Sequence, residues 1–428
     1  MDNITRVKYL NFVHQTSGTT SPWLQSLNTS SQTLHTSHFR HTSHKNRHTS
    51  QIWHKSDILH TSRTDDAAQK VQQLSNPRHN LFADETTNNI HQPSRKLGLV
   101  IIVSRKRSGS SFVGELLNQN PDVFYLFEPL QWLTFMGLRM KMQKAMFDSF
   151  SFNILNATSH CDFNNLPNGW LHYGKKLQCR FSKSMWPTQL CSILPKANSS
   201  LERMALARKT LANLTETCKM YRYIGMKTIR LADISILKHL ITASTVEFDV
   251  KIIHLVRDPR ATMNSRMNLK DPNVDFLRKR GKTGDEVTDL CSTMLANLAH
   301  VNNRSADVDW LNNRYKLVRY EDIAENPHAV ANDVYKFLRM PVHKAVSDWI
   351  ETNTKFAAGN EYSHTRDSKS TVQAWRESMD LADVLHIQKK CRKTMRLLGY
   401  QEVNSLDTLR NPFTPVIESL PFSTISQL

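Results

Sequence analysis

The chain has 428 residues, with 56 Lys and Arg against 38 Asp and Glu, a formal net charge of +18. Such a balance calls for an anionic partner, for which nucleic acid is the generic candidate. No aromatic-studded RNA-binding motif, zinc-finger spacing or basic recognition helix occurs, which argues against nucleic acid, and no apolar run approaches the roughly 20 residues needed to cross a bilayer.

Residues 1–95 are rich in Ser, Thr, Asn, Gln and His, and His-Thr-Ser recurs from residues 35, 41, 48 and 60. Such a segment buries too little apolar surface to offset its ordering entropy and reads as a disordered, solvated stem. Its histidines are irregularly spaced and lack a companion Cys, so no metal site is expected. Residues 96–415 can form one large α/β domain, leaving 416–428 as a tail.

Leu97 to Val103 is a short apolar run rich in Val and Ile, a pattern that predicts a buried parallel strand. A basic turn, Ser104 to Ser111, leads to a helix expected near Ser110. Asp122 to Phe127 predicts a second strand and residues 131–150 an amphipathic helix. An irregular Cys-containing insertion follows at about 156–220. Within it Ser199 and Glu202 form a capping-box pattern for a helix to about Cys218. Tyr223 to Ile229, Val250 to Val256 and Lys316 to Tyr320 predict three more strands. Helices are expected around Val287 to Val301, around Val330 to Leu338, and from about Asp380 to a stop at Gly399. Short strands alternating with helices predict an α/β fold with a mainly parallel sheet covered on both faces.

Two strand–loop–helix junctions carry the chemistry. In the first, Arg105, Lys106, Arg107, Ser108, Gly109, Ser110, Ser111 and Phe112 supply guanidinium groups, hydroxyls and backbone N–H groups at a helix N-terminus, which together make an anion site. The pattern is neither G-x-x-x-x-G-K-S/T nor G-x-G-x-x-G. In the second, Asp258 suits an N-cap and Pro259 the first helical turn. Arg257 at the strand end and Ser265 two turns into the helix can hold a second anion. Two such units fit a doubly anionic nucleotide at the carboxyl ends of a parallel sheet.

Arg107-Ser-Gly-Ser-Ser-Phe112 resembles the 5′-phosphosulfate loop of the Golgi carbohydrate 6-O-sulfotransferases. Arg257-Asp-Pro-Arg-Ala261 with Ser265 resembles their 3′-phosphate element. The resemblance continues through Phe124-Tyr-Leu-Phe-Glu-Pro-Leu130, Lys227-Thr-Ile-Arg230, Tyr315-Lys-Leu-Val-Arg-Tyr-Glu-Asp322, Tyr362 to Arg376 and Cys391 to Tyr400, in order over about residues 97–415. The pattern is most similar to the galactose and N-acetylgalactosamine enzymes acting on keratan and chondroitin. It implies a P-loop-NTPase-like sulfotransferase fold, 3′-phosphoadenosine 5′-phosphosulfate as donor, no metal, and a glycan or glycosaminoglycan acceptor. Transfer to the 6-hydroxyl of galactose, N-acetylgalactosamine or N-acetylglucosamine is implied too. The oligomeric state is not legible.

Sulfuryl transfer needs an in-line acceptor oxygen, donors to the equatorial oxygens and a stabilised leaving phosphate. Arg107 is the expected contact to the 5′-phosphate and the transferring group, because a guanidinium donates two parallel bonds to an oxyanion. Lys106 can point away. Glu128, after an apolar strand and before Pro129, is the expected general base, strengthened by Phe127 and Leu130. The competing reading is a structural carboxylate paired with Arg107 or Lys227. Lys227 can stabilise the donor or simply pair. Arg366 and Ser368 resemble a loop closing the 3′-phosphate pocket. Trp375 and Arg376 can stack on sugar or adenine, and Trp375 can equally anchor the last helix. His254 reads as a core histidine. A non-catalytic glycan- or nucleic-acid-binding protein and a P-loop kinase are the alternatives; the kinase lacks the Walker Lys and a clear magnesium-binding Asp.

Cys161, Cys179, Cys191, Cys218, Cys291 and Cys391 contain no C-x-x-C pair, which argues against a zinc site. In an oxidising lumen the first four would staple the insertion, their pairing open, and the last two would bridge two helices. Asn-x-Ser/Thr occurs at Asn3, Asn28, Asn156, Asn198, Asn213 and Asn303, weak support for secretory passage. Members of the resembled family are usually type II Golgi membrane proteins, so the expected location is the Golgi lumen or membrane. No such anchor and no secretory signal is visible, and a gene model that starts late is the favoured explanation.

Overall fold

The computed structural model describes residues 98–192, 199–242, 249–269, 283–302, 310–354 and 368–418. Among them five strands, β1 (Gly98–Val103), β2 (Val123–Phe127), β3 (Tyr223–Thr228), β4 (Asp249–Val256) and β5 (Tyr315–Arg319), form one sheet ordered β2-β3-β1-β4-β5. Every pairing is parallel. The first half of the chain adds helices α1 (Ser110–Asn118), α2 (Gln131–Met140), α3 (Lys144–Ser159), α4 (Asn168–Phe181) and α5 (Ser200–Lys219). The second half adds α6 (Ile236–Thr242), α7 (Pro259–Met267), α8 (Thr283–Asn302), α9 (Tyr320–Glu325), α10 (Pro327–Leu338), α11 (Lys344–Thr354), α12 (Ser368–Ser378), α13 (Leu381–Leu397) and α14 (Leu406–Arg410).

All six residues of β1 are buried, as a continuous apolar run in a doubly covered parallel strand requires. Its side chains alternate between two cores. Leu99, Ile101 and Val103 join Phe124, Ile224 and Ile252 in one, which α3, α4, α5, α8 and α13 cover through Ile154, Trp170, Leu214, Leu290 and Val384. Val100 and Ile102 join Tyr125, Ile253 and Val318 in the other, covered by α1, α9, α10 and α11 through Leu116, Ile323, Val334 and Val346. The mainly parallel α/β sheet expected from the sequence is therefore the observed architecture.

Several elements differ from expectation. The single helix expected over 131–150 is two, broken at Lys141, whose φ of 49° is left-handed. The helices then fold back, so that Gly137 faces the Phe147 ring. The apolar spacing runs on through the break and hides it. The insertion is mostly helical, not irregular, and α5 has the predicted capping box of Ser199 and Glu202. Tyr320 opens α9 instead of ending β5. Helix α11 went unrecognised because it buries only Val346 and Ile350. At the C-terminus Gln401 N–H donates to Val416 and Glu418 N–H to Gly399, so the packed chain runs on to Glu418. The stem of residues 1–95 and Arg366 lie outside the described residues.

Three disulfides form: Cys161–Cys218, Cys179–Cys191 and Cys291–Cys391. The first two staple the insertion and the third joins α8 to α13, as expected for an oxidising compartment. The insertion also closes the outer edge of β2. Ser184 Oγ accepts from Tyr125 N–H and donates to its carbonyl. Gln178 Oε1 and Ser182 Oγ accept from Phe127 N–H, and Gln178 Nε2 donates to the Phe127 carbonyl at 2.6 Å. Side chains thus stand where a sixth strand would pair.

Candidate active site

In a parallel sheet all carboxyl ends lie along one edge. Here the chain leaves β1 toward β2 and leaves β4 toward β5. The two strands are neighbours, so their loops part at a topological switch point, where open α/β sheets bind ligands. Both motifs predicted from the sequence sit there.

The first is the turn from Ser104 to Gly109. Ser104 is fixed by N–H donation to the Thr228 carbonyl and Oγ donation to the Leu255 carbonyl. Gly109 has φ of 82°, and a Cβ there would lie 2.1 Å from the Tyr320 ring. This position therefore needs glycine twice over, for its left-handed backbone and for the ring against it. Helix α1 starts at Ser110 without a side-chain cap, leaving its first-turn amides suited to an anion. The second motif is built as predicted: the Asp258 side chain caps α7 and Pro259 occupies its first turn. Buried Glu321 accepts from Asp258 N–H at 3.0 Å and from Tyr400 OH at 2.8 Å. Burial raises the Glu321 pKa above the ordinary carboxylate value, and Asp258 adds to the rise.

The motifs meet. Arg107 Nε donates to Ser265 Oγ at 2.9 Å. Arg257 donates to the Arg107 carbonyl at 3.1 Å and the Thr371 carbonyl at 3.0 Å, and its guanidinium lies 4.5 Å from the centre of the Tyr320 ring. Arg266 Nε donates to the Lys106 carbonyl at 3.1 Å. Arg257 Nε is buried with no hydrogen-bond partner among the described residues. An unpaired buried donor on a cation is costly, and a bound anion would satisfy it. The donor set of Arg107, Arg257, Ser265 and the α1 amides thus fits a nucleotide with phosphate groups at both ends of its ribose.

Glu128 follows β2 on the far side of β1. Its own φ is 47°, held by hydrogen bonds on both flanks, from Gln178 to Phe127 and from Trp170 Nε1 to the Pro129 carbonyl at 2.9 Å. Lys227 Nζ donates to Glu128 Oε1 at 2.7 Å and lies 3.9 Å from the Phe127 ring centre. Arg230 reaches Oε2 at 3.3 Å. Cations therefore adjoin the carboxylate in addition to the expected apolar neighbours, and the pairing with Lys227 held as the alternative is present. Burial lowers the Lys227 pKa from the ordinary lysine value, and Glu128 opposes the shift.

The remaining expected residues are unevenly placed. Ser108 and Ser110 are buried in the cradle, Ser111 and Phe112 half-buried, and Lys106 is exposed. Phe112 packs on Trp349 with ring centres 5.3 Å apart. Arg105 pairs with Asp289 of α8. Ser368 opens α12. Trp375 and Arg376 are structural: Trp375 is buried under Arg260, and Arg376 donates to the carbonyls of Thr408, Leu409, Asn411 and Thr414. Neither ring nor guanidinium is left to stack on a ligand. His254 is a core histidine, its Nδ1 2.8 Å from Tyr315 OH. Arg230 and Tyr320 are the partners that sequence reasoning missed, although both stand inside segments that carry the family resemblance.

Parallel strands, a cradle at the switch point and a paired carboxylate beside it define a protein that handles a doubly anionic nucleotide. Residues 98–399 match the sulfotransferase domain family. Carbohydrate sulfotransferase 1 of Danio rerio is 32% identical over 357 residues, covering 78% of this chain and 84% of that protein. Carbohydrate sulfotransferase 6 of Homo sapiens is 30% identical, covering 73% and 83%. The sulfotransferase domain of the Synechococcus olefin synthase is 20% identical with a TM-score of 0.37, covering 72% of this chain and 98% of that one. The chain belongs to the carbohydrate sulfotransferases, enzymes that transfer a sulfuryl group to sugar. No helix among the described residues is long and apolar enough to cross a membrane.

Proposed function

We propose that the protein transfers a sulfuryl group from 3′-phosphoadenosine 5′-phosphosulfate to the 6-hydroxyl of a galactose, N-acetylgalactosamine or N-acetylglucosamine residue in a glycan or glycosaminoglycan. The observation that carries the reading is the contact between Arg107 and Ser265, which joins the two anion motifs into one cradle.

The donor supplies an activated sulfuryl group on a phosphate leaving group. Arg107 and the first-turn amides of α1 bind the 5′ end and the charge that develops on the transferring oxygens. Arg257 and Ser265 bind the 3′-phosphate. Glu128 takes the proton of the acceptor hydroxyl as the new bond forms, since a neutral alcohol is a poor nucleophile. Lys227 and Arg230 aim the Glu128 carboxylate and offset its charge beside an anionic donor. With the strand order β2-β3-β1-β4, this reading has the acceptor on the β2 side and the 3′-phosphate on the β4 side, and transfer above β1 and β3. The three disulfides support folding in the secretory pathway, and the family resemblance supports the Golgi.

The test is incorporation of radiolabelled sulfate into a panel of desulfated keratan, desulfated chondroitin and N-acetylglucosamine-terminated glycans, with the sulfate position mapped on the product. Label on a 6-hydroxyl is expected. Label only on a secondary ring hydroxyl would overturn the regiochemistry, and no label on any glycan would overturn the reading.

A further inference from the structure

The segment that braces Glu128 also presents a cationic surface. Between Asp162 and Glu202 the sequence holds no Asp or Glu but five Lys and Arg: Lys175, Lys176, Arg180, Lys183 and Lys196. Lys176 and Arg180 are one helical turn apart on α4, and both are exposed, so they share a face. Neither has an ion-pair partner among the described residues. Lys183 follows on the next turn, exposed overall, with Nζ donating to Gln119. Trp186 is 58% exposed yet anchored, its indole N–H donating to the Cys179 carbonyl at 3.1 Å.

A stack of groups leads from this surface to the candidate base. The Arg180 guanidinium lies 5.1 Å from the centre of the Phe181 ring. Phe181 stacks on Phe127 at 4.5 Å, and Lys227, the partner of Glu128, sits on the Phe127 ring. Arg180 is thus two rings from the Glu128–Lys227 pair. Unpaired exposed cations beside an anchored indole suit a polyanion with sugar rings: the charges meet sulfate or carboxylate groups, and the indole face meets the apolar face of a pyranose.

Resting on the sulfotransferase reading above, we propose that Lys176, Arg180 and Trp186 form a subsite for an anionic group on the acceptor chain, outside the sugar that receives the sulfuryl group. The enzyme is then selective for chains that already carry sulfate or carboxylate.

The experiment compares kcat/KM on two acceptors that differ only in charge, a neutral N-acetyllactosamine oligosaccharide and the same oligosaccharide bearing one sulfate on a neighbouring sugar. The wild-type protein should prefer the sulfated chain by about tenfold at low salt, mainly through KM. Lys176→Ala/Arg180→Ala should abolish the preference without changing affinity for adenosine 3′,5′-bisphosphate. Arg180→Lys alone, which keeps the charge, should retain most of it. Lack of preference in the wild type, or a preference that survives the double substitution, overturns the subsite. Equal competition by a single-stranded oligonucleotide of matched charge overturns its assignment to glycan. If neither is an acceptor, the same comparison is made on a desulfated and a monosulfated chondroitin oligosaccharide, and absence of transfer to all four overturns the reading on which it rests.

Discussion

Replacing Arg257 by Ala tests the donor cradle most directly. The guanidinium donates to the carbonyls of Arg107 and Thr371 and leaves Nε buried and unpaired. An anion at that nitrogen gains a charge-assisted hydrogen bond worth about 1.5–3 kcal/mol. Losing it should weaken adenosine 3′,5′-bisphosphate about 10- to 150-fold. The substitution also strips a donor from two carbonyls and a cation from the Tyr320 ring, at a cost of about 1–3 kcal/mol in folding stability. Titration calorimetry with the bisphosphate measures the first effect, and thermal melting of the ligand-free protein measures the second. Arg257→Lys keeps the charge but cannot span both carbonyls, so it should fall between. A lowered melting temperature with unchanged bisphosphate affinity would show that Arg257 only ties the loops together, and the argument from its unpaired nitrogen would fail.

Glu128→Gln should lower kcat by about two to four orders of magnitude while bisphosphate binding persists; near-normal turnover in single-turnover assays would place the base elsewhere. Gly109→Ala forces a side chain into the Tyr320 ring at a left-handed φ and should cost about 2–4 kcal/mol with loss of bisphosphate binding, measured by denaturant melts and titration; wild-type binding in a folded variant would refute the close packing. The Cys161–Cys218 bridge closes a separation of 57 residues and Cys179–Cys191 one of 12, contributing about 4 and about 3 kcal/mol in the chain-entropy estimate. Reduction should therefore raise hydrogen exchange in the insertion before the donor loops, and the reverse order would contradict the division between them. Burial lowers the His254 pKa to about 4, below the unfolded value of about 6.5. The unfolded chain binds the extra proton, so this contribution of about 3 kcal/mol is complete above the unfolded value and is lost as pH falls toward the folded one. Denaturant melts across that window should show the loss, and the slope should persist unchanged in His254→Gln if the reasoning is wrong.

Short-range chemistry made much of this fold legible. The β1 run, the Gly109 turn, the Asp258-Pro259 helix start and the Ser199–Glu202 box each announce themselves within a few residues, and each stands where it was expected. Contacts made across the fold were harder. Arg230 reaches Glu128 over a separation of 102 residues, and no local pattern points to its partner. Phe127 and Leu130 looked like an apolar setting for Glu128 because the cations that surround it come from β3 and the turn after it. Arg376 looked ready for a ligand, and Trp375 was open between a ligand and a structural anchor, because a sequence does not show that Arg260 and the carbonyls near α14 already occupy them. The break at Lys141 was invisible to periodicity, since apolar residues recur on both sides of it.

The closed outer edge of β2 carries a consequence for the life of the molecule. Gln178, Ser182 and Ser184 are held there by a segment that the Cys179–Cys191 bridge pins. Were that segment to swing out, Tyr125 and Phe127 would offer bare peptide groups to any other chain, a template for self-association. The Cys179–Cys191 bridge thus guards against strand exchange. A molecule that misses its oxidation step is expected to leave solution as aggregate, not to persist as a slack enzyme.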